Sequence, residues 1–489
     1  MSTTPVQPAD PARPAPAGPA PRPPVSVGTT RLLRRLHFYA GILVAPFLLI
    51  ATISGGLYAL APTAEKVIYR AQLHAEGTGP AQSIAAQIDA ARAARPDLTV
   101  TAVRPAPAPG DTTRVLFADP GLPDSTSLAV FVDPATLKVQ GELPTYGSSG
   151  SLPVRTWIDG VHRNLQLGET GRLYSEFAAS WLWVIALAGV ALWVIGRRKR
   201  RRATGTGHLL IIDRSRSVRE RTLNRHAVLG MWIVVVLLFL SATGLTWSRL
   251  AGANITELRQ SLGWTQPSVS TSLAGAPAAA GGHEGHGDHG GASLPQDASA
   301  AATAAAEAGY ADTALALARS AGVGRSTAVQ ISIPEDAQTA FTVTEVRDAW
   351  QFSPDSAAVD PRTGTVVDVN RFADWPLMAR AANLGIALHM GILFGLLNQI
   401  VLALVAVILT VMIVFGYRMW WQRRRRGTHR PGRAPARGAL RELPWPAIAV
   451  IAAVAVAVGW FVPLLGWPLL AFLAVDVAAG LWQRRRPAH

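Results

Sequence analysis

Leu36-His37-Phe38-Tyr39-Ala40-Gly41 opens an apolar block that continues through Ser54-Gly55 to Tyr58, and the same frame returns at His226. There Gly230, Thr243-Gly244 and Trp247 follow at the offsets at which Gly41, Ser54-Gly55 and Tyr58 follow His37. A second frame is also written twice. His162 is followed by Gly168, Gly189, Trp193 and a run of arginines, and His389 by Gly395, Gly416, Trp420 and a run of arginines at matching offsets. Crossing the hydrocarbon core takes about 20 mostly apolar residues in a helix, and these blocks meet that requirement. They predict an α-helical integral membrane protein built on a duplicated unit, with four histidines at equivalent places.

Composition agrees. Of 489 residues, 49% are hydrophobic, and the net charge is +15. A basic balance of that size is compatible with nucleic-acid binding, but the arginines sit beside the apolar blocks, at 197–202, 423–426 and 484–486. That is the positive-inside pattern, so no nucleic-acid partner is expected and the lipid bilayer is. Cysteine is absent. Thiolate metal sites, iron–sulfur clusters and covalent c-type haem are thereby excluded, leaving histidine as the natural ligand for any haem.

The expected organisation is as follows. Residues 1–30 form a Pro-rich cytoplasmic tail, too poor in large apolar residues to build a core. The first span occupies 31–60, a first external domain 61–160, and a histidine-containing helix with the second span 161–200. A basic cytoplasmic loop covers 201–225 and the third span 226–248. A second external domain covers 249–380, with a His-rich loop at 281–291. The fourth span, read as one helix, occupies 381–421, a basic loop 422–443, and a hairpin of two further spans 444–484. Arginine clusters precede spans one and three and follow spans two, four and six. Both termini therefore face the cytoplasm, the large polar segments lie outside, and the protein belongs in the cell (inner) membrane.

The two external segments repeat as well. Each has an Ala-rich helical stretch, strand-like runs, and a strand–turn–strand unit built on Asp133-Pro134 or Asp360-Pro361. Asx-Pro pairs between β-branched runs supply turn chemistry. Both copies begin inside, so the repeats are parallel and related by an axis along the membrane normal.

Arg34-Arg35-Leu36-His37-Phe38-Tyr39-Ala40-Gly41, the Val-Asp-Pro turns, Val161-His162-Arg163-Asn164-Leu165, Leu388-His389-Met390-Gly391 and the closing Trp-Trp-Gln-Arg-Arg at 420–424 together resemble the PepSY-associated transmembrane proteins, also called iron-regulated membrane proteins. Some members are ferric-siderophore reductases. The resemblance implies two small α+β PepSY-like external domains, b-type haem in the membrane, and electron flow outward to a ferric substrate.

Topology alone pairs His37 with His226 at the cytoplasmic starts of their spans, and His162 with His389 before spans that run inward. A haem iron between two neutral imidazoles, one from each repeat, suits such pairs, giving two b-type haems across the bilayer. A single histidine at a helix end has an interfacial role without any ligand. Four on one duplicated frame are harder to reduce to that. From His389 to Trp420 is 31 residues, about 46 Å of helix at 1.5 Å per residue, which predicts that the outer pair stands at or above the outer interface. Arg34, Arg35, Arg163 and Arg225 adjoin these histidines as candidate haem-propionate partners; enforcing topology is the other use of the inner ones. His283, His286 and His289, among glycines and two acids, form a weak candidate site for Cu²⁺, Zn²⁺ or Ni²⁺.

No Gly-x-Gly-x-x-Gly follows a strand-like run, so the electron donor should be a separate quinol or reductase. The expected function is a transmembrane haem protein that reduces an external ferric chelate, a siderophore, and thereby releases iron. The alternative is a non-redox module that senses or regulates an external partner such as a peptidase. A permease is disfavoured because spans 1–4 show no buried acidic relay.

Overall fold

The computed structural model describes residues 25–204, 218–273, 307–423, 435 and 443–485. The His-rich loop, with His283, His286 and His289, and most of the N-terminal tail lie outside the described residues.

Four helices are long and apolar enough to cross a membrane: Ala45–Ile68, Gly168–Arg202, Glu220–Thr246 and Leu396–Gln422. The chain is a membrane protein with these four candidate spans. They belong to α2 (Ala45–Ile68), α6 (Gly168–Thr204), α7 (Val218–Thr246) and α11 (Leu396–Gln422). Two shorter apolar helices close the chain, α12 (Trp445–Phe461) and α13 (Pro463–Arg485). Their hairpin is docked on the bundle: Trp181 Nε1 donates to Leu464 O at 3.0 Å, and Asn254 Nδ2 to Phe461 O at 2.9 Å.

The first apolar block is not one helix. α1 (Val25–Leu43) carries His37, and α2 starts one residue after it. The bend falls where Pro46 lacks the N–H that would bond to the carbonyl of Ile42. Tyr417 Oη donates to that orphaned carbonyl at 3.0 Å. The helices pack as a ring in which α1–α2 adjoins α6 and α11, and α7 adjoins the same two. α1–α2 and α7 are therefore diagonal, and their inward faces meet at the centre.

The two PepSY-like segments merge. Strands β1 (Thr99–Arg104), β2 (Thr113–Ala118), β3 (Thr126–Val132) and β4 (Val139–Tyr146) come from the first, and β5 (Val329–Ser332), β6 (Phe341–Glu345), β7 (Ser356–Asp360) and β8 (Thr365–Asn370) from the second. They form one antiparallel sheet, ordered β4-β3-β2-β1-β5-β6-β7-β8. The seam pairs Val103 with Ile331 and Ala102 with Ser332. The two segments expected as two small α+β domains thus share one sheet. One apolar core serves both halves: Ile88 and Ala91 of α4 (Ile84–Ala94) and Ala311, Ala314 and Ala318 of α9 (Ala311–Ser320) cover Val103, Phe117, Val130, Ile331, Phe341 and Val359. Asp312 of α9 caps α4 by accepting from the backbone N–H of Ile84 and Ala85 at 2.9 and 3.0 Å, an anion at a helix N-terminus that ties the halves together.

Candidate functional site

The histidines meet in two pairs. At the arginine-flanked end, the His37 and His226 rings lie 6.2 Å apart between centroids, at 76°. They project from the diagonal helices α1 and α7. At the sheet end, His162 and His389 lie within electrostatic reach of each other. His162 sits near the end of α5 (Pro153–Asn164) and His389 closes α10 (Leu377–His389).

The helix-length argument for the second pair is overturned. α10 stops at His389, and α11 begins only at Leu396, after a turn with Gly391 and Gly395 at φ +77° and +55°. α5 likewise ends before α6, through Leu165 and Gln166 at φ +54° and +58°. Positive φ breaks a helix, and glycine adopts it without steric penalty. Asn398 Nδ2 donates at 3.0 Å to the Leu388 carbonyl, which also accepts from the Gly391 N–H. The rings thus reach Ser54 of α2 and Thr243 of α7, and neither histidine shares a helix with the span that follows it.

Each imidazole is held through Nδ1. His37 Nδ1 lies 2.9 Å from Ile185 O, and His226 Nδ1 lies 3.1 Å from Met412 O. A carbonyl only accepts, so both rings carry the Nδ1 proton. His162 Nδ1 lies 3.1 Å from Ser54 Oγ, and His389 Nδ1 lies 2.6 Å from Thr243 Oγ1. Each hydroxyl already donates its one proton to a backbone carbonyl, Ser54 to Ile50 O at 2.7 Å and Thr243 to Phe239 O at 2.8 Å. Both must accept from the ring. In all four histidines Nε2 is left as the basic nitrogen. A second-shell acceptor on Nδ1 is what fixes the tautomer and raises the basicity of a metal-ligating histidine. The partners repeat: Ile185 and Met412 are 227 residues apart, as are His162 and His389, and Ser54 and Thr243 are 189 apart, as are His37 and His226.

The comparisons add the family. The family described as PepSY-associated TM region matches residues 34–423, about four fifths of the sequence. This chain belongs to the PepSY-associated TM family. No curated protein matches it.

Two glycines of this PepSY-associated protein make room for imidazoles. A Cβ on Gly55 would lie 2.9 Å from His162 Cε1, and one on Gly189 would lie 3.1 Å from His37 Cε1. Their repeat mates differ: nothing lies within 4 Å of a Cβ on Gly416, and Gly244 meets only Ala179 at 3.7 Å.

The candidate arginines are not equivalent. Arg35 is buried and stacks on Tyr39 and Phe472 at 5.5 and 5.8 Å, linking α1 to the hairpin. Arg163 donates to Tyr146 Oη at 2.9 Å and faces Asp159 at 3.7 Å, so it serves the sheet domain. Arg34 and Arg225 are exposed. Sequence reading missed Ser54 and Thr243 as ring anchors, although their repeat-matched positions were visible. It also missed Arg155, a buried arginine on α5.

The Asp-Pro turns are structural. Asp133 accepts from the N–H groups of Gly77, Ala135 and Thr136 at 2.8, 2.9 and 3.2 Å. Burial pushes its carboxyl up, but these donors outweigh it and hold it below the usual range. Burial acts the same way on Asp360, where Arg362 and Thr363 outweigh it.

Proposed function

We propose that this protein carries electrons across the cell membrane through two b-type haems and delivers them to ferric iron in an external chelate such as a siderophore. The observation that carries the reading is the shared state of the four histidines, each anchored at Nδ1 with Nε2 basic. His37 with His226 would hold the inner group and His162 with His389 the outer. The inner rings, 6.2 Å apart between centroids, would hold one iron between them. A pair of imidazoles would suit a haem iron.

Haem bound at these pairs supplies one-electron chemistry. The residues of the chain do the rest. The Nδ1 acceptors fix each ring and strengthen its Nε2. Seventeen residues separate His226 from Thr243 along the unbroken α7, about 26 Å of helix, which would set the pairs towards opposite faces of a core about 30 Å thick. One electron leaves the donor and converts chelated Fe³⁺ to Fe²⁺, which chelators built for Fe³⁺ hold weakly.

The sheet order reads the same from either edge and the ring anchors recur at the repeat offsets, which supports a parallel duplicated unit with its axis along the membrane normal. The arginine clusters support an orientation with both termini cytoplasmic and the sheet outside. The terminal hairpin would bring the spans to six. A quinol or a separate reductase would be the donor.

The test is selective loss. In haem-replete, folded protein, replacing His162 or His389 with alanine should remove the outer haem and spare the inner. Loss of both haems from one outer replacement contradicts the pairing.

A further inference from the structure

Three aromatic rings meet where the sheet touches the bundle. Trp350 and Phe352 lie in the loop between β6 and β7, and Phe394 in the turn between α10 and α11. The ring centroids of Trp350 and Phe394 are 5.4 Å apart, and those of Phe352 and Phe394 5.7 Å. Backbone contacts fix the loop to the turn. The Trp350 N–H donates to Leu393 O at 2.8 Å, and a Cβ on Gly395 would lie 3.1 Å from that of Ala349. Yet Trp350 is 59% exposed and Phe352 42%. Trp350 also sits at φ +66°, an outlying conformation for so bulky a residue. An exposed apolar cluster on such a backbone marks an interaction surface.

The helix that follows the turn says what covers it. Leu397, Ile400, Leu404 and Val407 form one stripe of α11, each more than half exposed. Only 11% of the apolar window of α11 is buried in the protein, against 28–33% in the other three spans, so α11 turns most of its surface to lipid. Phe394 continues that surface beyond the helix start. The 27 residues of α11 make about 40 Å of helix, more than a hydrocarbon core about 30 Å thick. With Trp420 and Trp421 at its arginine-flanked end, its first turn reaches the headgroup region on the side of the sheet, where tryptophan is enriched. Duplication did not copy the cluster. The residues 227 positions before Trp350, Phe352 and Phe394 are Pro123, Ser125 and Leu167.

We propose that Trp350, Phe352 and Phe394 form a membrane anchor, through which the β6–β7 loop inserts into the lipid headgroup region of the leaflet next to the sheet. The occupant is the lipid surface because the cluster continues the lipid-facing side of α11. The anchor holds the sheet against the bilayer beside the turn that follows His389. It stands on the membrane assignment alone and is independent of haem.

The chain has no cysteine, so a single introduced cysteine in the full-length protein takes a nitroxide label at one place. The labelled protein is reconstituted in vesicles of phosphatidylethanolamine and phosphatidylglycerol. Collisions of the label with oxygen, which concentrates in lipid, are then compared with those of a water-soluble nickel chelate. A label at Phe352→Cys should favour oxygen, as should one at Leu404→Cys on α11. A label at Asp124→Cys, in the polar turn of the first repeat, should favour nickel. Should Phe352→Cys not fold, Ser353→Cys, which keeps all three rings, is read in its place. Adding Trp350→Ser should move the loop label towards nickel preference. Nickel preference at the loop with Trp350 intact overturns the proposal and would suit a soluble ligand. Shielding from both reagents overturns it too, because the loop would then lie against protein, such as a second copy. A loop label that Trp350→Ser leaves unmoved overturns the anchoring role of the rings.

Discussion

Thr243 and His389 share a 2.6 Å hydrogen bond whose counterpart, 3.1 Å long, joins Ser54 to His162 in the first repeat. In both, the hydroxyl gives its proton to its own helix and can only accept from the ring. Thr243→Val should therefore release His389 from its tautomer. Losing such an outer-shell partner typically costs 10–100-fold in metal affinity. Haem titration should show that loss at the outer site with the inner unchanged; unaltered outer affinity would remove the anchor from the account.

Gly55→Ala tests how closely the imidazole is seated. The new methyl would stand 2.9 Å from His162 Cε1, so the ring must leave its position. The outer centre should disappear or turn high-spin. Gly416→Ala, with nothing within 4 Å, is the control and should retain both centres. Two indistinguishable spectra would show that the contact carries no constraint.

The fused sheet predicts one cooperative unit. Ile331 is fully buried in a core shared by both halves. Ile331→Ala should cost about 2–5 kcal/mol, and hydrogen exchange should rise in β2 and β3 as well as in β6 and β7. Exchange confined to the second half would mean that the β1–β5 seam does not couple them.

The Asp-Pro turns predict an acid limb. Asp133 and Asp360 are held below the usual carboxylate range in the folded state. The unfolded state then binds protons more readily. Their stabilisation is present above the unfolded value of about 3.9 and fades as pH falls through the lower folded value. Asp133→Asn with Asp360→Asn should flatten the loss of thermal stability below about pH 4. An acid limb as steep as wild type would place its origin elsewhere.

Four of the six expected spans, the pairing of His37 with His226, and the turn role of Asp133 and Asp360 were legible because each rests on local pattern: apolar length, repeat offset, or Asx-Pro chemistry. The break after His389 had a local signal in Gly391 and Gly395, but the surrounding apolar run outweighed it, and the two helices were read as one. Nothing local marks the break at Leu165 and Gln166. The β1–β5 seam joins residues such as Val103 and Ile331 from opposite repeats, and a strand that pairs across such a distance reads like any other. Arg155 escaped because its contact, Tyr58, lies 97 residues away in the chain.

The central claim is that these four histidines hold haem. The most direct measurement is the dithionite-reduced minus oxidised spectrum of the full-length protein purified from haem-replete cells. The account predicts sharp, split visible bands of low-spin b-type haem with two imidazole ligands, at two haems per chain. A folded but colourless protein would contradict it and would leave the non-redox reading, a membrane module that senses or regulates an external partner.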